Sequence, residues 1–485
     1  MCRKAGANET DPAAAVLHDR RATPYPVGNA ACRPHPALSR RLPAAAAARM
    51  IAEGIAGFAG RRVLLLQGPV GPFFARLAHD LAGVGAQVFR IDFNGGDRLF
   101  RPPPGVCSAQ SWRGTMDDWP HFLRGYLIER QIDLVLLFGD CRPIHRAAIA
   151  VAKQLRIDLG VFEEGYLRPD FITLERGGVN GYSAWLGRLP DPAATLPDLP
   201  VQPMPRSFWP MVLWGFGYFA AAAIARPWFR HYRHHRPIGF AEALPWARSP
   251  LRKLWHSWRE RGVMTRLTGP LSGRFFLVPL QVHNDAQVHF HADVGGVEGF
   301  IERVIASFGR SAPADAWLVI KHHPLDRGYR DHTRRIARAA AAAGCAARVI
   351  AIHDQHMPTI LPHCRGTVVI NSTAGLAAIG CGRPTIALGS AIYRLPGLTY
   401  PRSLERFWTE AADHPPDPAL HARFRAALIA RTQINGNFYR RLDRAGLATG
   451  LVWPPRPAPT TVVPFMLGDA MGADAPPPAR ERVQP

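Results

Sequence analysis

The chain has 485 residues, 47% of them hydrophobic, and a formal net charge of +22. That length exceeds one ordinary domain and fits two or three, and the apolar fraction excludes a wholly disordered polypeptide. The seven cysteines are odd in number and form no Cys-x-x-Cys pair, which excludes a disulfide framework of the secreted type and suggests free thiols in a reducing compartment. The basic balance has two readings, attraction to anions or a coding bias that makes Arg, Ala and Pro abundant together, and charge alone identifies no partner.

Residues 1–55 alternate Arg, Pro and Ala with polar residues and carry no apolar signal core, so a disordered extension is expected there and export is not. An apolar run at 62–67 breaks at Gly68-Pro69 and leads into helical spacing over 71–83. Strands follow at 87–92, 133–138 and 158–162, with helices at 121–130 and, opened by Pro143, at 143–155. The pattern then recurs. Strands are expected at 275–280, 317–321, 347–352, 367–370 and 385–388, with helices at 297–310, 331–343 and 374–381. Strands alternating with helices imply parallel sheets covered on both faces. The expected organisation is therefore a first α/β lobe at 56–203, an aromatic and basic helical connector at 204–271, a second α/β lobe at 272–453, and a Pro-rich tail at 454–485.

Doubly wound lobes bind ligands outside the carboxyl ends of their strands, so the loops that follow strands carry the information. After the first strand come Gln67, Gly68 and Gly71; prolines at 69 and 72 remove two N–H donors, which disfavours a phosphate nest. Asn94 and Asp97 follow the second strand and suit either sugar hydroxyls or a plain turn. Asp140, Arg142 and His145 bracket a helix start that suits an anion, with an Asp140 helix cap beside a surface Arg as the alternative reading. Glu163 and Glu164 end an apolar strand, with Arg168 and Asn180 beyond. Neighbours in an extended chain point to opposite faces, so one of the two carboxylates faces the cleft, as nucleophile or general base.

In the second lobe Gln281 and Asp285 follow one strand, and Lys321, His323 and Pro324 follow the next. Ser372 and Thr373 open a small-residue helix whose free N–H groups form an anion site, a pattern that capping alone also explains. His283, His289 and His291 lack a carboxylate at a spacing that completes a recognised metal site, so no metal is expected.

Taken in order, QGPVGPFF, FNGGD, LFGDCRPIH, FEEGYLRPDFITLERGGVN, PLQVHNDAQ, KHHP and NSTAGLAAIGCGRPTIALG resemble the capsular polysaccharide biosynthesis and export proteins of the KpsS/LipB type, over about residues 60–400. The resemblance implies a GT-B-like fold of two Rossmann-type lobes and a retaining β-Kdo transferase. Its donor would be CMP-Kdo, with no further cofactor, and its acceptor an anionic phosphatidylglycerol-type lipid. It also implies a cytoplasmic protein peripheral to the inner membrane, working beside other capsule synthesis and export proteins. His323, Ser372 and Thr373 would grip the CMP phosphate, supported by Lys321, Pro324, Gln281 and Asp285. A related β-Kdo transferase type carries Asp where Glu164 stands here, which leaves Glu164 or Glu163 as the nucleophile. The first-lobe loops would meet sugar and acceptor. A non-catalytic export adaptor or a sugar-nucleotide epimerase of the same fold is the alternative.

Residues 207–225 contain no charge and are followed by Arg226, Arg230, Arg233 and Arg236. Pro210, Gly215 and Gly217 interrupt the stretch, and its aromatics beside basic residues suit docking on an anionic membrane surface first, a buried helix next and a span third. No recognition motif supports nucleic acid as a partner.

Overall fold

The computed structural model describes residues 54–189, 201–233, 243–442 and 447–452. Apart from residues 54 and 55, the expected extension and the Pro-rich tail lie outside that range, as do His234, His235 and Arg236 and the His289 side chain.

The first lobe begins β1 (Arg62–Leu65), α1 (Phe73–Gly83), β2 (Gln87–Asp92), α2 (Gly95–Leu99), β3 (Ser108–Ser111) and α3 (Trp119–Glu129). It continues β4 (Leu134–Phe138), α4 (Pro143–Gln154), β5 (Asp158–Glu164) and β6 (Phe171–Arg176). Two connector helices follow, α5 (Phe208–Ile224) and α6 (Ala243–Arg259). The second lobe runs α7 (Val263–Thr268), β7 (Phe275–Pro279), α8 (Ala286–His291), α9 (Gly296–Ser311), β8 (Trp317–Lys321), α10 (Thr333–Ala342) and β9 (Val349–Ile352). Then come α11 (Met357–Ile360), β10 (Cys364–Val369), α12 (Thr373–Gly380), β11 (Thr385–Ala387), α13 (Leu404–Glu410), α14 (Pro418–Thr432) and β12 (Gln433–Asn435).

The second sheet has the order β11-β10-β7-β8-β9 and is parallel throughout. The first has the order β12-β6-β5-β4-β1-β2-β3. Its members from β3 to β5 are parallel, while β6 runs antiparallel to β5 and β12 antiparallel to β6. The all-parallel expectation therefore fails at one edge of this sheet. There Glu163 and Glu164 lie opposite Thr173 and Ile172 in the β5–β6 ladder. The segment expected to close the second lobe, from β12 onward, returns to the first: Ile434, Phe438, Leu447 and Leu451 join its core.

Period-2 alternation distributes each strand between two cores. In the first lobe Val63, Leu65 and Phe162 pack on α1 through Phe73, Phe74 and Leu77, while Leu64, Leu66 and Val161 pack on α3 and α4 through Trp119, Leu123 and Ala148. In the second, Phe276, Val278 and Ile320 meet Phe300, Val304 and Trp408, and Phe275, Leu277 and Val319 meet Leu267 and Ile360. Each such side chain contributes roughly 1.5–3 kcal/mol on full burial, so both lobes are fixed frames for the loops at their strand ends. Cys107, Cys141, Cys345 and Cys364 are free thiols; Cys381 is disulfide-bonded, contrary to the expectation of free thiols throughout.

Candidate functional site

The lobes meet along their strand-end loops. Tyr166, just after β5, is buried in a cluster with Val369, Leu376 and Tyr393 of the second lobe. Nearby, the His291 ring of α8 lies edge-on to Tyr182 at 4.5 Å, with Nε2 3.9 Å from Cys141 Sγ. The Arg146 guanidinium sits 5.2 Å from the Phe290 ring.

Glu163 lies at the centre of this seam. Burial pushes its carboxyl up to about 7, helped by the charges of Glu164, Asp140 and Asp285, against a hydrogen bond that its Oε1 accepts from the Glu164 N–H at 3.0 Å. Asp285 belongs to the second lobe, so Glu163 is the carboxylate that feels the opposite side of the cleft. Strand alternation sends Glu164 to the face that carries Phe162, away from this group. A second raised carboxyl stands behind. Glu175, moved up to about 7 mainly by burial, accepts from the Tyr166 hydroxyl at 2.7 Å and from Ser183. Tyr166 in turn accepts from the Asn180 N–H at 2.7 Å, fixing the left-handed turn at Asn180. Sequence reading passed over Glu175, because an acid inside a strand has no motif and only the fold shows that it is enclosed.

Across the seam, burial and the nearby Lys321 and Arg168 charges push the His323 imidazole down to about 4, so it is neutral at pH 7. Its Nδ1 accepts from the Leu325 N–H at 3.2 Å and caps the turn that Pro324 opens. Lys321 is buried, and burial lowers its ammonium from the ordinary value. Gln281 Nε2 donates to Asp285 Oδ2 at 3.1 Å and to Asn371 Oδ1 at 2.9 Å, tying the loop after β7 to the loop after β10. Ser372 caps α12, its Oγ accepting from the Ala374 N–H at 3.2 Å, and Thr373 is the first helical residue. Arg168 reaches back to the Gly165 carbonyl through Nε at 3.2 Å.

Several residues expected to meet substrate are closed off instead. Gln67 and Asn94 donate to the Tyr218 hydroxyl at 3.3 and 2.8 Å, and that hydroxyl donates to Asp97 Oδ1 at 2.9 Å. Gln67 Oε1 also accepts from Arg142 at 2.9 Å, and the Tyr232 hydroxyl lies 2.8 Å from Gln67 Nε2. Gln67, Asn94 and Asp97 are thus buried in a network that docks α5, and a ligand would have to break it. The glycines here serve approach rather than catalysis: a Cβ on Gly95 would stand 2.1 Å from the Ala221 carbonyl oxygen, and one on Gly96 2.6 Å from the Tyr218 ring. Gly68 leaves room for the Phe74 ring, and Gly71, at φ +113, lies against Trp214. Asp140 is no helix cap; its Oδ2 accepts from the Val179 N–H at 2.8 Å. His145 is fully buried, and its Nδ1–H donates to the Gly139 carbonyl at 2.7 Å, so it braces a turn.

The connector shows an inverted surface. The buried positions of α5 are Gly215, Tyr218 and Ala222, while Phe208, Trp209, Leu213 and Phe216 are exposed. In α6 a row at i, i+4 spacing faces inward: Arg248 and Arg252 donate to the Gly328 and Arg327 carbonyls at 2.6 and 2.9 Å, and His256 stacks on His353 at 3.6 Å. Leu251, Leu254, Trp255 and Trp258 point to solvent. Among the described residues, no helix is long and apolar enough to cross a membrane.

Comparison with known proteins adds a family. The sequence pattern of the capsule polysaccharide biosynthesis proteins matches residues 133–439. The capsule polysaccharide export protein KpsS of Escherichia coli is 40% identical over 388 residues, covering 78% of this chain and 97% of that one. The capsule polysaccharide modification protein LipB of Neisseria meningitidis serogroup A is 38% identical, covering 78% and 92%. Among solved structures, the β-Kdo 2,7 transferase KpsC of Thermosulfurimonas dismutans is 12% identical with a TM-score of 0.38, covering 80% of this chain and 96% of that one.

Proposed function

The chain belongs to the capsule polysaccharide biosynthesis protein family, and from that premise we propose that it is a retaining β-Kdo transferase. It takes Kdo from CMP-Kdo and passes it to a phosphatidylglycerol-type lipid at the cytoplasmic face of the inner membrane, beside other capsule synthesis and export proteins. The observation that carries this reading is Glu163, a carboxyl raised to about 7 at the interlobe seam. A carboxylate of that kind combines basicity with ionisation near neutral pH.

In the first step the Glu163 carboxylate bonds to the anomeric carbon as the bond from that carbon to the CMP phosphate breaks. Neutral His323 and the start of α12 at Ser372-Thr373 stabilise the departing phosphate, and Arg142 or Arg168 pairs with the Kdo carboxylate. Each donor aimed at developing charge contributes roughly 3–4 kcal/mol. In the second step the acceptor hydroxyl displaces the glycosyl ester, losing its proton to solvent and releasing Glu163. Two inversions retain configuration. Glu163 takes this role in preference to Glu164 because the charge of Asp285, in the second lobe, reaches its carboxyl. The inverted α5 and α6 surfaces suit contact with the lipid interface that holds the acceptor.

The test is incubation of the full chain with CMP-Kdo and a fluorescent phosphatidylglycerol acceptor. Kdo-lipid product that disappears in Glu163→Gln while CMP binding persists is expected. CMP-Kdo binding without product would point to an export adaptor, and conversion of a UDP-sugar without acceptor to an epimerase.

A further inference from the structure

We propose that Gln433 is a positioning residue for the cleft: through it β12 holds the loop after β5 so that Arg168 stands toward the donor side. The inference rests on the donor site proposed above. Gln433 opens β12 and is buried. Its Oε1 accepts from the Tyr166 N–H at 3.0 Å and from the Leu167 N–H at 3.4 Å. Two backbone donors on one atom fix it as the oxygen, so the amide nitrogen points the other way. There Nε2 donates to Thr173 Oγ1 at 3.0 Å, and Thr173 Oγ1 donates to the Glu164 carbonyl at 3.1 Å. One side chain thus reaches the backbone of Glu164, Tyr166 and Leu167, on both sides of Gly165.

The same strand holds the far end of the loop. The Asp170 carbonyl accepts from the Gly436 N–H at 3.0 Å and from Asn435 Nδ2 at 2.8 Å. Asp170 Oδ1 accepts from the Met204 N–H at 2.7 Å. Between these anchors the chain has no slack at Gly165, where a Cβ would stand 1.9 Å from the Phe171 carbonyl oxygen. Arg168 lies between the two anchors, and the bond from its Nε to the Gly165 carbonyl closes the loop on itself. A backbone pinned at both ends fixes where the guanidinium stem begins.

The loop is also pressed against the second lobe. Tyr166 and Leu167 pack with Val369, Leu376 and Tyr393. Beside burial and Lys321, the Arg168 charge is near enough to help push the His323 imidazole down. The helix α14 runs directly into β12 and buries Phe424 and Leu428 in the same cluster, with Leu376 and Ile379 of α12. One continuous piece of chain therefore packs on the helix that receives the donor phosphate and grips the loop that carries Arg168. It sets the distance between those two anion-binding points, which a donor with both a phosphate and a carboxylate must span. Arg142, the other candidate for the carboxylate, already donates to Gln67 Oε1 at 2.9 Å.

The experiment measures transfer by the full chain and by Gln433→Ala, varying CMP-Kdo and lipid separately. KM for CMP-Kdo should rise about 10–100-fold, the scale of a misplaced binding group. The lipid KM should be unchanged and kcat should stay within about twofold, because a contact made equally in ground and transition states moves KM alone. A merely structural loss would lower kcat through the active fraction and leave KM as it was. Gln433→Glu, which keeps an accepting oxygen, should restore most of the affinity. Gln433→Ala combined with Arg168→Ala should show a KM no higher than Arg168→Ala alone, since the first acts through the second. Hydrogen exchange at Tyr166 and Leu167 should quicken at least about tenfold in Gln433→Ala, with β7 unaffected. If that variant fails to fold, Asn435→Ala loosens the other anchor and should raise the same KM by less. Faster exchange with an unchanged KM, or additive losses in the double variant, would overturn the role. Unchanged exchange would overturn the grip alone, whereas no product from the unaltered chain would remove the transferase reading and this role with it.

Discussion

In the proposed mechanism, Glu163 couples chemistry to stability through a single proton. Its ordinary carboxyl value is about 4.3, against about 7 in the fold. The folded state therefore prefers the protonated form, and a stability penalty grows as pH rises from the lower value to the higher. Glu163→Gln should raise the melting temperature at pH 8, and the gain should shrink as the pH falls through 7 toward 4, as read by calorimetry. In the proposed mechanism catalysis runs the other way: with the ionised form as nucleophile, kcat/KM should drop about tenfold per unit below pH 7. Tyr218 is the second decisive residue. Tyr218→Phe strips a shared partner from Gln67, Asn94 and Asp97, all buried. One unsatisfied buried group costs about 1–3 kcal/mol, which urea unfolding should register as a lowered midpoint.

At the scale of elements, α5 and α2 are made for each other through missing side chains. Gly95→Ala would drive a methyl group to 2.1 Å from the Ala221 carbonyl oxygen, so the helices must part. A loss of about 1–3 kcal/mol is expected from such overpacking, with α5 becoming open to protease before the sheets unfold. On the outer surface the expectation reverses. Changing Trp209, Trp255 and Trp258 together to Ser should leave the melting temperature within about 2 °C, since exposed side chains contribute little. It should also reduce sedimentation with phosphatidylglycerol vesicles at least fivefold. Unchanged sedimentation would remove the membrane role from these helices.

Those elements also show what was legible beforehand. The strands and helices of both lobes follow from apolar runs and Gly or Pro breaks, and β2 and β8 occur with the boundaries read from sequence. β3, β6 and β12 did not stand out. SAQS carries no apolar signal, and QIN is too short to show alternation. The β6 segment was visible only as part of a motif. Polar residues after strands did mark the strand-end loops, yet period and spacing do not say whether a polar group faces a ligand or a partner helix. Gln67, Asn94 and Asp97 carry the same signal as Glu163 and differ in having Tyr218 across from them. The α6 cluster lay out of reach because His256, Glu260, His322 and His353 are scattered along the chain and meet only in the fold.

Over the whole molecule, the second lobe is an insertion within the first. The chain leaves the first sheet after β6 and returns to it only at β12. Removing residues 433–452 should therefore lower the stability of the first lobe rather than the second, and hydrogen exchange resolved by segment should locate the loss at β6. The path also bears on synthesis. While the ribosome is still making the second lobe, the outer edge of β6 has no neighbour, and its unpaired N–H and C=O groups are open to any other growing chain. Completion of the first sheet awaits β12, the last-made of the described strands. The window for mispairing is the time taken to translate an entire second lobe, and a slower ribosome lengthens it.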